Sequence, residues 1–232
     1  MNRFCIRAAE RRIGISHRFD LVRAQCRGYI VPDGDNDLEV LPDLEYERKV
    51  SPGFAEDHIE SLAVLRAIAE HMPDDDTILM HAVALAANDS AVLFTAPSGT
   101  GKTTHAMRWL EALPGSYVIN GDKPFVRLAG NGVWVYGTPW CGKERLNRNC
   151  AMPVRAICLL ERSEVNSAEE LAPENAFGFL YRQIYHPADD RRLKRSLELL
   201  SGIMDSVKLL RIGMNNFAAD VFESAFQAVY GA

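Results

Sequence analysis

The chain has 232 residues, 47% apolar and 25% charged, the balance of a soluble globular protein that can fill its own core. A formal net charge of −5 argues against nucleic-acid binding through bulk positive charge. No run reaches the ~20 apolar residues of a membrane span, and residues 1–12 lack the apolar stretch of a secretory signal.

The first 50 residues read as short strands joined by turns, with brief apolar pieces at 4–6, 13–15, 29–31 and 38–41. Pro32-Asp33-Gly34-Asp35 is a turn by chemistry. Residues 1–27 are basic, carrying Arg3, Arg7, Arg11, Arg12, Arg18, Arg23 and Arg27 against Glu10 and Asp20. A solvated strand face explains this better than a docking surface for an acidic partner, because a charge run without a motif is weak grounds for binding.

A helix is expected from Ser51 or Pro52 to Met72, with Ile59, Leu62, Leu65, Ile68 and Ala69 at helical spacing. Two strands follow at 78–87 and 91–95, joined by Asn88-Asp89-Ser90 as a hairpin turn. The second runs into a glycine-punctuated loop and a helix at 104–113, stopped by Pro114-Gly115. Strands are expected at 117–119, 125–128, 133–136, 155–160 and 207–212, and helices at 175–184, 191–204 and 217–229. The fold class is therefore α/β, a mixed α+β core with extra antiparallel strands. Cys5, Cys26, Cys141, Cys150 and Cys158 are odd in number, scattered and without a C-x-x-C pair, which argues against disulfides and zinc and for a reducing cytoplasmic location.

The strongest signal is Ala96-Pro97-Ser98-Gly99-Thr100-Gly101-Lys102-Thr103-Thr104, set between a strand and a helix. Gly99 and Gly101 let the backbone turn tightly and approach phosphate oxygens. Successive N–H groups and the positive end of the following helix then face an anion. Lys102 puts a point charge on the outer phosphates, and the Thr103 hydroxyl can ligate magnesium. Ser98, Thr100 and Thr104 complete the cradle. Ala96 replaces the usual first glycine and would strain the loop only if that position needs positive φ.

A triphosphate site also needs a carboxylate. Asp122, after the strand at 117–119, is the first candidate, on the expectation that this strand is a parallel neighbour of the loop-bearing one; Asn120-Gly121-Asp122 is also good turn chemistry, so a plain turn residue is the weaker alternative. His81, on the preceding strand, reads either as a core histidine or as a site residue. The stretch Gly137-Thr138-Pro139-Trp140-Cys141-Gly142-Lys143-Glu144-Arg145 offers Lys143 and Arg145 for an anionic substrate. It cannot be a thioredoxin-type motif, since Glu144 stands where the second thiol would be.

Residues 80–122 resemble the ATP-binding core shared by HPr kinase/phosphorylase and ATP-dependent phosphoenolpyruvate carboxykinase. The resemblance rests on Met80-His81-Ala82-Val83-Ala84, the Ala96–Thr104 loop and Gly121-Asp122, in that order. From residue 78 onward the chain also looks like a group of small bacterial HPr kinase-like proteins, through Asn120-Gly121-Asp122-Lys123-Pro124 and Tyr136 to Glu144. The resemblance implies a P-loop core with a mixed sheet, helices packed on it, and a small β-rich extension: residues 1–50 as the extension and 51–232 as the ATP-binding domain. It implies a kinase that uses ATP and Mg2+ and transfers the γ-phosphoryl group to a serine-like hydroxyl. The acceptor would be a peptide, protein or small molecule, and a homo-oligomer is left open. His81, Lys102 and Asp122 carry over as catalytic residues, with Thr103 and Asp122 at the metal. Gly121 departs from the relatives, which have a carboxylate there, so a catalytically weak nucleotide-binding regulator stands as the alternative. A carboxykinase acting on oxaloacetate ranks lower, because the chain is too short for that substrate lobe.

Overall fold

The computed structural model describes residues 1–215 and 221–231, with the backbone alone at 221. β1 (Asn2–Ala8) and β2 (Arg11–His17) pair antiparallel around Ala9 and Glu10, which take φ of 45° and 66°. Positive φ at both turn residues suits the twist of the flanking strands. A short helix, α1 (Asp20–Gln25), follows where the sequence suggested only turns. β3 (Ile30–Val31) and β4 (Leu38–Val40) complete a four-stranded sheet of order β3-β1-β2-β4. Among the described residues, two of the seven arginines here form ion pairs, Arg3 with Asp33 and Glu39, and Arg11 with Asp37 and with Asp75 beyond the long helix, while Arg12 donates to the Pro32 and Asp35 carbonyls.

The long helix starts later than the sequence suggested. α2 (Leu44–Val50) comes first, its N-terminus capped by the Asp43 carboxylate, which accepts from the Tyr46 N–H. Ser51 ends α2, donating its N–H to the Glu47 carbonyl at 2.8 Å. α3 then spans Glu56–His71. The expected strand at 78–87 is two strands, β5 (Thr77–Leu79) and β6 (Ala82–Ala87). Between them Met80 bridges to Ile184, and the His81 N–H donates to the Gln183 carbonyl at 2.7 Å. Those bonds pull the chain out of the ladder at His81.

β7 (Ser90–Thr95) returns through a hairpin whose Asn88 and Asp89 also have positive φ. After it come α4 (Lys102–Ala112), β8 (Tyr117–Asn120), β9 (Phe125–Ala129), β10 (Gly132–Tyr136) and the twelve-residue β11 (Ala151–Arg162). β12 (Ser167–Glu170), α5 (Pro173–Tyr181), α6 (Asp190–Ser206), β13 (Lys208–Met214) and α7 (Val221–Tyr230) close the chain. Of the helix expected at 217–229, residues 217–220 lie outside the described residues.

The fold is mixed α+β. The larger sheet runs β5-β9-β10-β11-β7-β6-β8, with β13 on β11 and β12 on β13. β7, β11 and β13 are parallel, and β6 is antiparallel to both β7 and β8. Both faces of the central strands are buried, so these segments are apolar throughout. On β7, Ala91 and Leu93 face α5 and α6, where Leu180, Leu199 and Ile203 pack. Val92 and Phe94 face α4 and α7, where Trp109, Ala225 and Val229 pack. A third core joins the N-terminal sheet to α3 and reaches Leu79, Phe125, Tyr136 and Trp140. α3 thus packs in a core that the N-terminal sheet shares with strands of the larger one.

Candidate functional site

Strand direction brings the site together. β7 ends at Thr95 and releases the glycine loop, while β6 begins beside it, with Ala82 opposite Thr95. β8 ends at Asn120 on the same edge, and β11 ends there at Arg162, with Leu159 beside Thr95. Loops leaving the ends of parallel strands are where open α/β sheets form ligand crevices. β8 is not the neighbour of β7 that the sequence suggested. β6 lies between them, antiparallel to both, so β8 still points the same way and delivers Asp122 to the loop's end of the sheet.

The loop has the expected conformation. Gly99 and Gly101 take φ of 77° and 114°, values that suit residues without a Cβ. Ala96 is fully buried and absent from the positive-φ positions, so its methyl strains nothing. Thr100 folds inward, its N–H and hydroxyl both bonding to the Pro97 carbonyl. Arg162 reaches from β11 and donates to the Gly99 carbonyl at 2.7 Å. Lys102 is the first residue of α4, and its ammonium donates to the Ala96 carbonyl at 2.8 Å, lying under the loop. Burial lowers its pKa from the ordinary lysine value, with the Asp122 charge opposing.

A cleft of about 440 Å³ opens over this loop. Ser98, Gly99, Gly101, Lys102, Thr103 and Thr104 form one wall. His81, Gly121, Asp122, Gly142, Lys143 and Glu144 form the other. Thr100 and Arg145, both candidates from sequence, are not among the lining residues; Arg145 is exposed, with φ of 54°.

Asp122 accepts from His81 Nε2 at 3.2 Å on one oxygen and from the Lys123 ammonium at 3.0 Å on the other. Burial works against its charge, but those two partners outweigh burial and hold the carboxyl below the ordinary carboxylate range. His81 is fixed through its backbone, since its carbonyl accepts from the Thr95 hydroxyl at 2.9 Å.

Asn120 is buried and shapes the turn that Asn120-Gly121-Asp122 suggests by its chemistry. Its side-chain oxygen accepts from the Asp122 and Lys123 N–H groups at 2.9 and 2.7 Å. Its amide donates to the Thr138 carbonyl and hydroxyl. This side-chain-to-backbone turn aims Asp122, so the turn and the place of Asp122 at the cleft are one feature and not alternatives. Cys141 is buried, which pushes its thiol up and makes it a poor nucleophile. The five cysteines are all free.

No protein-family model matches this chain, and neither does any curated protein. Among solved structures it is distantly similar to the HPr(Ser) kinase/phosphatase from Coxiella burnetii, with a TM-score of 0.37 and 11% identity over 63% of this chain and 93% of that one. No helix among the described residues is long and apolar enough to cross a membrane.

Proposed function

We propose that this chain binds ATP with magnesium and transfers the γ-phosphoryl group to a hydroxyl on a peptide, protein or small molecule. The observation that carries the reading is one cleft with a Lys102–Thr103 helix start on one wall and the His81–Asp122 pair on the other. Loop N–H groups and the α4 N-terminus favour polyphosphate on the first wall. Lys102, freed from the Ala96 carbonyl, would neutralise charge on the outer phosphates.

The donor set suits magnesium. Among the described residues no group of three or more His, Cys, Asp or Glu side chains stands ready for a metal. Magnesium keeps several waters and needs only one or two carboxylates beside the phosphates. Thr103 and Asp122 would hold it, and it would supply charge neutralisation at the transferring group. His81 then orients Asp122, while the cleft walls position donor and acceptor.

A second reading, a nucleotide-binding regulator with little turnover, is favoured by one detail: both Asp122 oxygens are already engaged, one by the His81 ring and the other by the Lys123 ammonium. Calorimetry with ATP and magnesium tests the shared premise. Wild type is expected to bind, and Lys102→Ala to lose about tenfold or more in affinity, about 1.4 kcal/mol. Absence of binding with and without magnesium would sink both readings. Transfer of labelled γ-phosphate to water or a hydroxyl acceptor separates them.

A further inference from the structure

Two carboxylates border the cleft, and they differ in what they are free to do. Asp122 is already committed, one oxygen facing His81 and the other Lys123, and it is also the carboxylate assigned above to magnesium. Glu144 is exposed and has neither an ion pair nor a hydrogen bond among the described residues, yet its side chain lines the same wall.

The backbone around it is built to leave this opening. Gly142 has φ of 81°, and a Cβ there would stand 3.3 Å from Asp122 Cβ and 3.6 Å from Glu144 Oε2. The two acidic side chains therefore flank one bare Cα, and the gap between them stays open to the cleft. Residue 121 cannot supply a second carboxylate itself. A Cβ on Gly121 would come within 2.6 Å of the Cys141 carbonyl oxygen and 3.4 Å of that of Leu146. The 141–146 loop lies tightly over residue 121, and that loop carries Glu144.

Resting on the kinase reading above, we propose that Glu144 is the catalytic base, and that Asp122 is not. The acceptor hydroxyl gives its proton to the Glu144 carboxylate as its oxygen forms the bond to the γ-phosphorus. The bond from that phosphorus to the β,γ-bridging oxygen breaks, and its electron pair leaves with ADP beside Lys102. A positioned base of this kind contributes typically 10²–10⁴-fold.

The test uses the full chain, with water as acceptor, and compares wild type with Glu144→Gln and Glu144→Asp. Calorimetry reads ATP affinity with magnesium, phosphate release reads turnover, and a thermal melt checks the fold. Glu144→Gln is expected to hold ATP affinity within about threefold and to lower turnover about 10²-fold or more. Glu144→Asp is expected to keep part of the activity. Turnover of Glu144→Gln within about threefold of wild type, ATP binding intact, overturns the proposal. So does a wild type that binds ATP but releases no phosphate, which leaves the regulator reading standing. A wild type that binds no ATP removes the kinase reading itself, a different failure with a different readout.

Discussion

A side chain at residue 121 would bring its Cβ to 2.6 Å from the Cys141 carbonyl oxygen, closer than real Cβ contacts come. That obstacle is backbone and cannot rotate away, so the 141–146 segment must shift. Gly121→Ala is expected to destabilise by about 1–3 kcal/mol, the usual cost of overpacking. Urea unfolding should show a lower midpoint with an unchanged slope; an unchanged midpoint would mean that the segment yields freely. The missing side chain thus has a packing cause, where the sequence offered only a missing carboxylate. The positive φ of Gly99 and Gly101 and the place of Lys102 at the start of α4 were legible because a glycine-punctuated turn from strand to helix is a local pattern. The reach of Asn120 to Thr138 and the place of Glu144 at the cleft were not, because Thr138 and the 141–146 loop approach from the far side of a hairpin.

Helix α4 has an internal pH liability directly behind the loop. His105 is fully buried, its Nε2 accepts from Trp109 Nε1 at 3.2 Å, and its Nδ1 finds no partner among the described residues. The acceptor role of Nε2 puts the ring's proton on Nδ1. A second proton would set an N–H against the Trp109 N–H, inside a core shared with Phe94. Burial pushes the His105 imidazole down from 6.5 to about 4. The unfolded chain therefore binds a proton below about pH 6.5 that the folded chain refuses until about pH 4. Stability contributed by neutral His105 is complete above that window and falls as pH drops through it. At about 1.4 kcal/mol per pH unit, the loss reaches about 2 kcal/mol by pH 5. Urea midpoints at pH 7 and pH 5 should differ more in wild type than in His105→Gln; equal differences would contradict this. At this scale α4 and the strands of the central sheet were readable from periodicity. The break at Met80 and His81 was not, since it is enforced by Ile184 and Gln183, far away in the chain.

Across the whole molecule, the N-terminal sheet is coupled to the cleft through α3. The Glu60 carboxylate, fully buried on α3, accepts from the Arg18 and Phe19 N–H groups at 2.7 and 2.9 Å and ties α3 to the end of β2. One residue on, Ser61 accepts from Trp140 Nε1 through both its carbonyl and its hydroxyl, at 3.1 and 3.0 Å. Gln25 joins the same knot, accepting from the Ser61 hydroxyl and donating to the Pro139 carbonyl. The strands of the first 50 residues were visible as short apolar pieces, but this coupling was not, because no local pattern tells Trp140 which helix it will meet. Two consequences separate a coupled body from an independent extension. Far-UV circular dichroism and tryptophan fluorescence should report one coincident urea transition, the mark of a single cooperative unit. Trp140→Phe, which keeps the ring packing and removes the N–H, is expected to cost about 1–2 kcal/mol. For a chain of this size that lowers Tm by roughly 2–4 °C per kcal/mol. The whole transition should move, with its slope kept. Two separated transitions, or a Trp140→Phe shift seen by only one probe, would mean that the N-terminal sheet unfolds without the cleft. The loop carrying Glu144 would then be held by the larger sheet alone.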